Sequence, residues 1–223
     1  MKPPLHKHIL ATYFTLRIGI AVIAIAFPHL LWLGGKAWAD LPLQDSMSAY
    51  YHANVDGRSM RDWFVGILFA VGVFLYLYKG FSRRENYLLN LAGVMAVCVA
   101  IFPMEWNCGE NCAKYSIHGA CAIVFFLAIA YVCVRCSRET LPLLNDEAMQ
   151  ARYRRIYRLL AALMLGSPLI AFAVNAVLRQ YASRVFYVEA VGIVAFAAYW
   201  LTKSRELAIS QAEARALRGE LEI

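Results

Sequence analysis

The chain has 223 residues, of which 61% are hydrophobic and only 17% charged. A soluble domain carries roughly 45–50% apolar and about 25% charged residues, so the composition excludes an ordinary water-soluble globule. The formal net charge of +7 would suit nucleic acid, but the basic residues form no single patch and lie in short polar stretches between long apolar blocks.

In chain order, the apolar blocks predict spans at about 9–34, 62–79, 87–104, 116–135, 158–178 and 185–202, with a cytoplasmic helical tail over 203–223. A helical crossing needs about 20 apolar residues; flanking aromatic and charged side chains complete the shorter second, third and sixth blocks. Backbone groups in hydrocarbon must bond within their own segment. The expected fold is therefore all-α: a six-helix transmembrane bundle with N- and C-termini cytoplasmic, one integral membrane domain over 1–223 without repeats. The alternating segments of about ten residues that mark a membrane barrel do not occur.

The first block follows Lys2 and Lys7, and Ala37-Trp38-Ala39 has the small-x-small form of a cleavage site. The apolar run exceeds the roughly 7–15 residues of a signal peptide and is read as a retained span. With the N-terminus inside, fifteen Lys and Arg fall inside, while Lys36, Arg58, Arg61, Lys114, Arg179 and Arg184 fall outside. That asymmetry orients a multi-pass protein in a bacterial inner membrane. It turns the net charge into attraction for anionic headgroups, with no nucleic-acid partner. Arg17 lies inside the first span with no acidic residue at its depth, which assigns it a structural or lipid-phosphate role.

Between spans one and two, residues 35–61 form the longest outer loop, rich in aromatics and therefore expected to be ordered; 41–51 is expected to lie at the interface as a short helix. The inner loop 137–158 carries Asn145-Asp146-Glu147, a helix start with acids at its positive end. Arg152, Arg154, Arg155 and Arg158 follow. This reads as an amphipathic extension of span five resting on anionic lipid; a cytoplasmic partner at loop 137–158 and a homo-oligomer are the other associations considered. Cys108 and Cys112 are either a periplasmic disulfide or two free thiols. Cys98, Cys121 and Cys133 are small core residues.

Asp62, Glu105, His118 and Glu189 all fall near the outer end of a span, where ionisable groups are costly and usually have a reason. Ser48 and His52 come from the loop feeding span two, and Asn175 from span five. In one reading His52, His118, Asp62 and Glu189 ligate zinc or another divalent metal, whose bound water attacks an ester or amide. Ser48, Asp62 and Glu189 are then the catalytic candidates, with Ser48 one helical turn before His52. In another, the same groups form a hydrogen-bond network shaping a pocket for a lipid or small ligand. In the third they are unconnected, solvated helix ends.

The segments Ser46-Met-Ser48-Ala-Tyr50-Tyr51-His52 and Arg61-Asp62-Trp-Phe-Val-Gly66 resemble an uncharacterised family of bacterial multi-span membrane proteins. Tyr78-Lys-Gly80, Ala100-Ile-Phe102-Pro103, Arg155-Ile-Tyr157 and the stretch from Phe186 to Lys203 fit the same pattern. The resemblance implies that Ser48, Tyr51, His52, Arg61, Asp62, His118 and Glu189 matter, with Tyr51 and Arg61 on the cofactor- or ligand-binding side, and carries no established activity. The order Ser48, His52, Asp62 is also similar to the CREST superfamily of membrane hydrolases, which set a serine, an aspartate and three histidines around zinc. The final-helix His-x-x-x-His of that superfamily is missing; Glu189 stands on span six instead.

Two functions follow as expectations. One is a membrane-embedded hydrolase acting on a lipid or lipid-linked ester or amide at the outer leaflet. The other is a non-enzymatic sensor or scaffold that binds membrane lipids or a small ligand. A transporter is disfavoured because no inverted repeat is visible. Walker, c-type haem and Rossmann patterns do not occur.

Overall fold

The computed structural model describes residues 5–106, 116–177 and 183–221. Helix α1 runs over Leu5–Ala39 and passes through a π-turn at Leu30–Gly34, just after Pro28. A 3-10 turn, Ser48–Tyr51, and a two-residue-per-strand hairpin, Asn54–Val55 with Arg58–Ser59, lead into α2, Arg61–Leu77. Then come α3 (Arg83–Ile101), α4 (Ile117–Leu143), α5 (Glu147–Val177), α6 (Ser183–Ser210) and the short α7 (Ala212–Leu217).

The helix starts follow from local chemistry. Ser82 Oγ accepts from Glu85 N at 3.2 Å, and Glu85 returns a carboxylate oxygen to Phe81 N at 2.8 Å, a variant of the capping box. Ser116 Oγ takes Gly119 N (3.2 Å) at the start of α4, and Asp146 Oδ1 takes Ala148 N (2.8 Å) at the start of α5. Each cap satisfies a donor that the helix itself leaves orphaned.

Among the described residues, four helical stretches are long and apolar enough to cross a membrane: Leu5–Ala39, Arg83–Ile101, Ile117–Leu143 and Val185–Ser210. Around the bundle, large apolar side chains point outward, among them Val22, Val94, Ile123, Leu127, Leu169 and Val191. Such continuous apolar surface suits hydrocarbon and would aggregate in water. The chain is a helical protein with the character of a multi-pass membrane protein.

With little hydrophobic force between helices in lipid, close packing depends on small residues. A Cβ on Gly72 would stand 2.7 Å from the Gly93 carbonyl oxygen, and one on Gly93 would stand 2.6 Å from the Gly72 oxygen. The backbones of α2 and α3 therefore touch. Gly93→Val is expected to lower the thermal midpoint in detergent sharply, because backbone cannot yield as a side chain can and overpacking costs about 1–3 kcal/mol even in compliant cores. An unchanged midpoint would mean that the helices can separate at no cost.

The buried residues form two clusters. One contains Ile20, Leu75, Leu89, Ile129, Tyr157 and Trp200; the other contains Phe27, Leu31, Met47, Tyr50, Met60 and Phe186. Residues of both line a cavity of about 440 Å³.

At the end of the bundle away from this second cluster, the tail departs from a simple continuation of α6. Gln211 takes a left-handed conformation (φ 52°) and turns α7 back onto α1. The expectation that Arg17 meets no acid is corrected here. Arg17 holds both carboxylate oxygens of Glu213, donates from Nε to Ser204 Oγ (2.9 Å) and reaches Tyr78 Oη (3.2 Å). Beside it, Lys203 Nζ donates to Thr140 Oγ1 (2.5 Å) and to Glu206 (3.2 Å), whose carboxylate also accepts from Tyr157 Oη (2.5 Å). The carboxylate partner comes from the tail, outside the spans, where the depth argument did not look.

Candidate functional site

The loop that carries Ser48 is fixed from several sides. Ser46 Oγ accepts from Ala49 N (3.1 Å), which tightens the turn. Asp45 O accepts from Phe186 N at 2.9 Å, tying the loop to α6. Glu189 Oε2 accepts from Met47 N at 2.6 Å, one residue before Ser48. Tyr50, fully buried, stacks obliquely on Phe186 with ring centroids 5.9 Å apart.

Ser48 Oγ thereby lies 2.8 Å from His118 Nε2. The opposite nitrogen, Nδ1, faces two carbonyl oxygens, Val99 at 3.1 Å and Phe102 at 2.9 Å. Carbonyls only accept, so Nδ1 carries the proton. In the neutral ring Nε2 then presents its lone pair to the Ser48 hydroxyl. Sequence explains why these carbonyls are available. Within a helix the Val99 oxygen would take the N–H of residue 103, and Pro103 has none. The helix ends at Ile101, and Phe102 is extended (ψ 94°). His118 is 7% exposed, so its orientation is set by these bonds and not by water.

This is the geometry of a nucleophile and its general base, with backbone carbonyls in the orienting role that a carboxylate plays in a triad. The pair opens onto the 440 Å³ cavity, whose wall is apolar apart from Ser48, His118, Glu189, Ser167 and the Asp45–Ser46 turn. A largely apolar concavity with a few convergent polar groups is the usual form of a small-molecule site.

The other expected residues do not line the cavity. His52 stacks on Trp106 at 5.3 Å and 12°, with Nε2 3.0 Å from the Met104 oxygen. Tyr51 meets His52 edge-on at 5.0 Å, and the Arg61 guanidinium lies 4.8 Å over the Tyr51 ring. Asp62, in the first turn of α2, and Glu105 are exposed. The structure thus brings Ser48, His118 and Glu189 together around one cavity, sets Tyr51, His52 and Arg61 in an aromatic–cationic stack that meets it through Trp106, and leaves Asp62 at the surface.

For the metal reading, both His118 nitrogens and His52 Nε2 are engaged in hydrogen bonds. Among the described residues no group of three or more His, Cys, Asp or Glu is placed to hold an ion. Cys108, Cys112 and the Asn175 side chain lie outside what is described. The reading from sequence missed Ser46 and the carbonyls of Val99 and Phe102; the Pro103 that frees Val99 was the available signal. No family model, curated protein or solved structure matches the chain.

Proposed function

We propose that the chain is a six-span protein of the bacterial inner membrane, with both termini inside, and that Ser48 and His118 hydrolyse an ester or amide of a membrane lipid from the outer leaflet. The observation that carries this reading is the 2.8 Å contact between Ser48 Oγ and a tautomer-fixed His118, set at the mouth of an apolar cavity. Ser48 Oγ adds to the carbonyl carbon as its proton passes to His118 Nε2. The bond to the leaving group breaks as that proton is handed to the departing oxygen or nitrogen. Water then repeats the sequence, releasing the acid and restoring Ser48. Glu189 is a positioning residue: by holding Met47 N it sets the backbone from which Ser48 projects.

The test is covalent labelling by an alkyl fluorophosphonate in isolated membranes, followed by mapping of the modified peptide. Labelling at Ser48, abolished in Ser48→Ala, supports the reading; protein that stays unmodified over hours at millimolar probe defeats it. A divalent metal bound through His118, His52, Asp62 and Glu189 is the other chemistry for the same region. It requires His118 to turn Nε2 away from Ser48. Metal analysis separates the two: stoichiometric zinc lost in His118→Ala, with no labelling of Ser48, favours the metal. The cavity also favours a lipid-binding sensor as a second reading, for which a copurified lipid and an unreactive Ser48 are the expected results.

A further inference from the structure

We infer that the cavity beneath Ser48 seats one acyl chain, entering from the flank of α4, and that the Phe125–Phe196 pair is a floor that limits its length. The inference rests on the Ser48–His118 reading and names the part of the substrate that reading leaves open.

Three helices give the same depth. His118 to Phe125, Phe64 to Val71 and Glu189 to Phe196 are each seven residues apart, and all six line the cavity. At 1.5 Å per residue, this places the lower lining residues about 10 Å below the polar mouth. Phe125 and Phe196 close that end with ring centroids 5.6 Å apart, and Phe196 backs onto Trp200 at 6.4 Å. Both are buried, at 7% and 1% exposure. An extended alkyl chain, with bonds of about 1.5 Å set in a zigzag, advances roughly 1.25 Å per carbon, so about eight carbons reach the floor.

The side entrance is marked by Ile123, which lines the cavity and is 53% exposed. One turn above it, Gly119 lines the same wall, and a Cβ there would meet only Ser116, at 3.7 Å. The wall that α4 contributes between Gly119 and Ile123 is therefore thin just where a chain leaving the bilayer would slide in. The occupant must be apolar along its length and carry its carbonyl at one end. Below the mouth the only polar side chain lining the cavity is Ser167, whose hydroxyl donates to the Met164 oxygen (3.5 Å), and burying an unpaired polar group there would be costly.

The experiment uses p-nitrophenyl esters from acetate to dodecanoate, each below its micelle-forming concentration, with purified protein in detergent. Each added methylene is expected to raise kcat/KM about fourfold up to a break near eight carbons. Ala96→Leu, which fills space at the lower wall, should move the break to shorter chains and spare acetate. Phe196→Ala should move it to longer ones. Hydrolysis that depends on Ser48 but shows no break, or a break that neither variant moves, overturns the floor and leaves the Ser48–His118 reading intact. If no ester is cleaved, that reading fails. The same length series, read as fatty-acid binding to Ser48→Ala protein by native mass spectrometry, then decides the seat by itself. A break moved by Ala96→Leu supports it, and length-independent binding overturns it.

Discussion

Alanine at position 118 is expected to slow the fluorophosphonate reaction of Ser48 by about 10²–10⁴-fold, the usual contribution of a positioned general base. The hydroxyl of Ser48 has no other imidazole against it, and His52, the one nearby alternative, points Nε2 at the Met104 oxygen 3.0 Å away. Alanine also leaves the Val99 and Phe102 oxygens without their donor, so the fold needs its own control. His118→Gln supplies one: its amide N–H can serve those carbonyls, but it cannot take a proton from Ser48. A glutamine variant with a wild-type melting midpoint and a strongly reduced labelling rate is the expected result. The wild-type rate should also fall on acidification, as Nε2 takes up a proton and can no longer accept one from the serine. The glutamine variant should lose that dependence. Wild-type labelling of His118→Gln would remove His118 from the chemistry.

The helical architecture was legible because apolar blocks near the length of a crossing have few other uses, and Asn145-Asp146-Glu147 announces a helix start in the sequence. Part of the site was legible for an energetic reason: His118 and Glu189 are ionisable groups in otherwise apolar segments, and the structure turns both towards one cavity. What sequence could not supply was pairing. Ser48 is one turn from His52 in the chain, yet its partner is His118, 70 residues away. Local spacing favoured His52 because it takes no account of a loop pinned by Glu189 and Phe186. Asp62 has the residue type of a ligand, but its place in the first turn of α2 turns it to the surface. The floor of the cavity was illegible for a different reason. Phe125 and Phe196 look like any apolar residues of a span until the helices are assembled.

The tail carries the other large expected effect. Arg17 is 2% exposed and Glu213 18%, and their bidentate pair ties α7 to the bundle beside the packing of the buried Ala212. Removing one partner of a buried ion pair costs about 3–5 kcal/mol, because the remaining charge is left without compensation. Glu213 keeps some contact with solvent, so Glu213→Ala is expected at the lower end of that range, about 3 kcal/mol. The loss should be local. Gln211 holds a left-handed backbone conformation that ordinary residues avoid, and the docking of α7 helps to maintain it. Hydrogen exchange should therefore rise over 211–221 while α2 and α3 stay protected. In Arg17→Met/Glu213→Leu the tail should regain most of its protection, since an apolar pair of similar size fills the same space without a buried charge. Exchange over 211–221 that matches the wild type in Glu213→Ala would show that the ion pair does not hold the tail, and that packing of Ala212 and its neighbours suffices.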